Sequence, residues 1–108
     1  NLKTIKKPII IHFCASWSYY CHNQYETIKK LLKNNYIKFY YVDLTEDDEK
    51  VSKNYKDFLK IYKGIRLSDE NLKLTQLFNV VNIPESYIIA NENHKVVVKK
   101  INNLKDLL

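Results

Sequence analysis

Between Pro8 and Cys14 the chain reads Pro-Ile-Ile-Ile-His-Phe-Cys, an almost unbroken apolar run of strand length. Such a strand must be covered on both faces, which is the situation of a strand in a largely parallel sheet sandwiched by helices. Polar Ser16 and Ser18 follow, and then Tyr25, Ile28, Leu31 and Leu32 recur at helical spacing until Asn34-Asn35. The next segment, Ile37-Lys38-Phe39-Tyr40-Tyr41-Val42-Asp43, is rich in β-formers and closes on an acid. Strand, helix and strand in this order form a βαβ unit.

The remainder extends that plan. Thr45-Glu46-Asp47-Asp48 has capping-box form, and Val51, Tyr55, Phe58, Leu59 and Tyr62 predict a second helix up to Gly64. From Asp69-Glu70-Asn71 a shorter helix is predicted through Leu72, Leu74, Leu77 and Phe78, ending before Pro84. Ser86 to Ala90 and Lys95 to Lys100 are β-rich runs around the polar tip Asn91-Glu92-Asn93-His94, a hairpin, and Asn102 to Leu108 begin a final helix. The sum is an α/β domain with a central mixed four-stranded sheet, flanking helices and a helical insertion between its βαβ and ββα halves. Chemistry in such a plan falls at the carboxyl end of the first strand, here the turn from Ser18 to Cys21.

A length of 108 residues, 45% of them hydrophobic, is expected to form one domain spanning 1-108. No stretch reaches the roughly 18 to 20 apolar residues of a membrane span. The start Asn1-Leu2-Lys3 is neither an initiator Met nor a signal peptide, so loss of an amino-terminal secretion signal or membrane anchor is expected. The net charge of +6 raises nucleic acid as a partner, but the lysines are scattered and no aromatic platform or zinc-ligand set accompanies them. A solvated basic surface, with no nucleic acid and no metal, is the expectation. Cys14 and Cys21 lie outside the usual zinc and haem spacings.

Lys7-Pro8, the apolar run to Phe13, Ala15-Ser16-Trp17 and the four residues ending in Cys21 resemble the thioredoxin superfamily signature, in which Phe-x-Ala-x-Trp precedes Cys-x-x-Cys. Asn82-Ile83-Pro84 before a strand resembles the cis-proline loop of that superfamily. Within it, Pro84-Glu85-Ser86-Tyr87-Ile88-Ile89 and the polar hairpin are similar to the TlpA/ResA/CcmG-like group, and the spacing to Asp43 to the carboxyl-terminal domain of DsbD-like reductases. Gln24 departs from the Glu that ResA-like proteins tend to carry there.

The resemblance implies the thioredoxin fold and a monomeric, extracytoplasmic thiol-disulfide oxidoreductase, periplasmic or membrane-anchored. Reduction of protein disulfides, apocytochrome c among the substrates, a membrane thiol reductase as electron donor and no cofactor are implied with it. Ser18 takes the place of the attacking cysteine and Cys21 that of the resolving one. A serine hydroxyl is hardly ionised near neutral pH and forms no disulfide, so the chain is expected to be inactive as a two-electron couple. Ser18 either replaces a native cysteine or belongs to a protein that uses this fold for binding; the retained Trp17, Cys21 and Pro84 favour replacement. Trp17, Tyr19, Tyr20 and Ile83 form the expected substrate rim, beside Pro84 as cis-proline.

His12 falls where many thioredoxins carry a buried Asp, and is either a proton acceptor for Cys21 or a satisfied core histidine. His22 and His94 are expected at the surface. Cys14 is expected to be a small buried hydrophobe; a Cys14–Cys21 disulfide is the lesser alternative, because cysteines at a strand end and in the following helix seldom meet disulfide geometry.

Overall fold

The computed structural model describes residues 7–15, 18–44, 60, 65–68 and 72–108. Strand β1 (Ile9–Cys14) is followed by α1 (Tyr19–His22), α2 (Tyr25–Leu32) and β2 (Lys38–Asp43). Then come β3 (Arg66–Ser68), α3 (Lys73–Leu77), β4 (Glu85–Glu92), β5 (Lys95–Ile101) and a 3-10 turn over Leu104–Leu107. The second helix expected between Thr45 and Gly64 lies, apart from Lys60, outside the described residues, as does the helix start at Asp69-Glu70-Asn71. Among the described residues no helix is long and apolar enough to cross a membrane.

Among the described residues the sheet has five strands in the order β3-β2-β1-β4-β5, so the expected four-stranded sheet gains an edge strand. β3 pairs parallel with β2. Its Arg66 reaches the Asp43 carboxylate at 2.8 Å, and the Asp43 side chain is fully buried. That contact reconciles a buried carboxylate with the interior, where an unpaired charge is costly. A three-residue segment paired by an ion pair across chain-distant positions leaves no periodic signal in the sequence.

β1 pairs parallel with β2 on one edge and antiparallel with β4 on the other. Residues alternate across a strand, so its two faces meet different partners. Ile10 and Cys14 join Ile28 and Leu31 of α2, Phe39 and Tyr41 of β2, Cys21 and Leu104 in one core cluster. Phe13 points the other way, to Phe78 at 5.4 Å and Tyr87 at 6.0 Å between ring centroids.

Local chemistry explains where the elements stop. After α2, the side chain of Asn34 accepts the Tyr36 N–H at 2.8 Å, turning the chain toward β2. α3 ends because Asn79 adopts a left-handed φ of 53°. The N–H groups of Asn79 and Val80 then bond back to the carbonyls of Gln76 and Thr75, a Schellman motif. The leucines that predict α3 are largely outside the core, for Leu77 is 77% exposed and Leu72 47% exposed. Phe78, just past its end, makes the aromatic contacts. In the β4–β5 hairpin Glu92 faces Lys95, and Asn93 and His94 both have positive φ, as a two-residue type I′ turn requires. The expected terminal helix is one 3-10 turn, begun by Asn103 accepting the Lys105 N–H at 3.0 Å and anchored by buried Leu104.

Phe13 has no exposed surface and joins β1 to both Phe78 and Tyr87. Phe13→Ala is expected to lower the unfolding free energy by about 3–5 kcal/mol. Urea titration measures this, and a loss below about 1 kcal/mol would show that the face opposite α2 is not a packed core.

Candidate functional site

The carboxyl end of β1 leads through Ala15 into α1. The Ser18 N–H bonds to the Ala15 carbonyl at 3.0 Å, and the Ser18 carbonyl accepts the N–H groups of Cys21 at 3.1 Å and His22 at 3.2 Å. Ser18 is buried, in extended conformation at the amino-terminal cap of α1, with no capping hydrogen bond from its side chain. These bonds fold the chain back so that the first turn of α1 lies over the last residue of β1.

Cys14 and Cys21 are joined by a disulfide, with Cα atoms 5.9 Å apart. This corrects the expectation that Cys14 is a small hydrophobe: the lesser alternative, a bridge between the strand end and the following helix, is the one present. The reason is the bond from the Ser18 N–H to the Ala15 carbonyl, which holds the start of α1 against the end of β1 and brings the two backbones within the ordinary disulfide range of about 4.4–6.8 Å. Both cysteines are buried, and the Ala15 N–H points to the Cys21 sulfur at 3.4 Å. The sequence did carry a signal, the spacing of seven, but only the turn shows that the sulfurs meet.

The Ile83–Pro84 peptide is cis. β1 and β4 pair from Ile9↔Ile89 to Phe13↔Glu85, so the ladder ends one residue before Cys14 on β1 and one residue after Pro84 on the other strand. Ile83 and Pro84 are half-buried. Tyr19 and Tyr20 are 71% and 67% exposed, with their rings edge to face at 5.9 Å. Trp17 lies outside the described residues.

Comparison with solved structures decides what this arrangement is built on. DsbF of MTB superposes with a TM-score of 0.69 at 18% identity, covering 95% of this chain and 77% of that one. This chain has the thioredoxin fold. A secreted Mycobacterium tuberculosis disulfide oxidoreductase homologous to E. coli DsbE gives 0.68 at 18% identity over 90% of this chain and 69% of that one. The exposed lipoprotein thioredoxin Etrx1 of Streptococcus pneumoniae gives 0.66 at 23% identity over 93% and 78%. No protein-family model and no curated protein matches the sequence.

Within the thioredoxin fold, His12 lies on the face of β1 that carries Cys14, fully buried, with the Phe39 and Tyr41 rings at 5.8 Å and 6.0 Å. Its Nδ1 shares a hydrogen bond with the Ser86 hydroxyl at 2.5 Å. Its Nε2 is buried without a hydrogen-bond partner among the described residues. Burial lowers the imidazole pKa to about 3, so His12 is neutral at neutral pH.

Ser86, the partner of His12, and Glu85 were not foreseen as site neighbours. Glu85 is buried on the Phe13 side of the sheet and accepts from the Tyr87 hydroxyl at 2.9 Å, the Lys100 ammonium at 3.3 Å and the Asn82 N–H at 3.3 Å. Burial by itself would raise its pKa, but these three hydrogen bonds and the Lys100 charge hold it below the ordinary carboxylate value. The bond to Asn82 ties the loop before Pro84 to the sheet. Reciprocally, burial and the Glu85 carboxylate raise the Tyr87 pKa.

The His12 shift makes stability depend on pH. An imidazole that titrates near 6.5 when unfolded and near 3 when folded leaves the native state with fewer bound protons between those values. Its contribution is whole above pH 6.5 and is lost as pH falls toward 3, by about 1.4 kcal/mol per pH unit. Between pH 7 and 5 the native chain is expected to lose about 2 kcal/mol more than the His12→Asn variant, read from urea denaturation at each pH. Equal losses would mean that the folded imidazole takes up its proton as in water.

Proposed function

We propose that this chain is a protein thiol-disulfide oxidoreductase acting outside the cytoplasm, in the reducing direction, on protein dithiols and disulfides. The observation that carries this reading is the disulfide at the carboxyl end of β1 in a thioredoxin fold, the end of an open α/β sheet where ligand chemistry collects. The secreted and surface-exposed character of similar structures supports the compartment. The likeness to the TlpA/ResA/CcmG-like group extends the reading to apocytochrome c thiols as a substrate and a membrane thiol reductase as donor, with the chain a monomer.

In this reading Ser18 holds the position of the family's attacking cysteine, so exchange through residues 18 and 21 is absent from the chain as it stands. Trp17, exposed Tyr19 and Tyr20, and Ile83 flank an extended substrate segment that pairs beside Pro84. His12, neutral and buried, serves as hydrogen-bond acceptor for a thiol rather than as a carrier of a full proton.

One observation favours a second reading. Both sulfurs are buried, at 0% and 1% exposure, as in a thioredoxin-fold binding module that needs no redox chemistry.

Restoring a cysteine at position 18 separates the two readings. Ser18→Cys, reduced and freed of reductant, is expected to reduce insulin disulfides and a cytochrome c haem-site peptide, followed by thiol titration. A well-folded Ser18→Cys protein that exchanges with neither would leave the binding module as the function.

A further inference from the structure

Resting on the reading that this fold exchanges protein thiols, we propose that Cys14 and Cys21 are themselves the working couple, with Cys21 as the attacking sulfur and Cys14 as the resolving one. The roles thereby move by one position relative to a Cys-x-x-Cys site. Cys21 takes up attack instead of resolution, and the strand-end cysteine replaces the missing partner.

Three observations support it. The pair lies at the carboxyl end of β1, where the pairing with β4 stops at Phe13↔Glu85, one residue after Pro84, and exposed Tyr19 and Tyr20 precede Cys21 in α1. The Ala15 N–H at 3.4 Å from the Cys21 sulfur is a donor already aimed at the atom that becomes a thiolate when the bond opens. A donor to an anionic sulfur lowers its pKa and favours it as nucleophile. Cys14, fully buried on β1, shares a sheet face with His12 two residues away. The Nε2 of that histidine is buried without a hydrogen-bond partner among the described residues. A disulfide that only braces α1 against β1 needs no donor aimed at its sulfur.

The location of Cys21 also sets the order of events. α1 has four residues and is separated from α2 at Asn23-Gln24, so the disulfide is a covalent tie holding this short helix to the sheet. Reduction removes that tie from α1 alone, whereas Cys14 stays on an interior strand paired on both edges.

In the reducing direction the Cys21 thiolate attacks one sulfur of a substrate disulfide, forming a Cys21–substrate mixed disulfide and releasing the other substrate sulfur as thiolate. Cys14 gives up its proton and attacks the Cys21 sulfur. The Cys14–Cys21 bond forms, the mixed disulfide breaks, and the second substrate sulfur leaves as a thiolate that takes a proton. The substrate gains two electrons from the chain; its second sulfur takes the proton that Cys14 released, and its first takes from water the proton that Cys21 gave up on ionising.

The test uses the full chain. With native protein in dithiothreitol, the Cys14–Cys21 bond is expected to reduce without unfolding, and in the reduced form iodoacetamide is expected to label Cys21 before Cys14. Against 5,5′-dithiobis(2-nitrobenzoate), the reduced native chain is expected to release two thionitrobenzoate equivalents and close its disulfide. Cys14→Ser should release one and retain the adduct on Cys21, while Cys21→Ser should leave Cys14 unlabelled until the protein unfolds. A native disulfide that dithiothreitol opens only on unfolding, or a folded Cys14→Ser protein that forms no adduct, would overturn this proposal. If Ser18→Cys then exchanges while the native pair stays inert, the reading of the fold stands and this couple falls; if neither exchanges, both fall.

Discussion

The placement of every residue near the disulfide depends on β1 being hydrogen-bonded along both of its edges. An apolar strand in the interior has no water for its N–H and C=O groups, so neighbouring strands must satisfy them. β2 does so in parallel and β4 antiparallel, and each pairing fixes a register. Those two registers put His12, Cys14, Phe39 and Tyr41 on the α2 side and Phe13 and Tyr87 on the other. A slip of one residue would move Cys14 to the face of Phe78 and away from α1.

Charged groups inside this sheet are each matched. Asp43 meets Arg66 on the edge strand, and Glu85 gathers hydrogen bonds from Asn82, Tyr87 and Lys100. Buried charge is tolerated only with such compensation, and in both places the compensation also does mechanical work. The first holds β3 to β2, and the second fastens the loop before Pro84 to β4 and β5. His12 follows the other route open to a buried titratable group, staying neutral.

The disulfide changes what Ser18 means. With residue 18 unable to form a sulfur bond, Cys21 would be a lone thiol under a short helix; paired with Cys14 it belongs to a group that carries two electrons. Ser18 in turn has a structural place, because its N–H and carbonyl form the bonds that fold α1 onto the end of β1. The same bonds that set serine at the start of α1 therefore deliver Cys21 to Cys14.

Much of this was legible in the amino-acid order. The apolar run of β1, the β-rich run of β2, the helical spacing through Leu32 and the polar hairpin tip are local patterns, and local patterns report period and burial directly. Pro84 before a strand and Cys21 after Trp17 point to the candidate site for the same reason, since each motif is contiguous. What the order could not decide was any contact that needs two distant segments to meet at a particular distance. Tertiary structure alone placed Arg66 on Asp43, Ser86 on His12 and the Schellman stop at Asn79, and left the α3 leucines outside the core. It alone also brought Cys14 to Cys21, because whether two sulfurs meet is set by the path of the turn between them and not by their count along the chain.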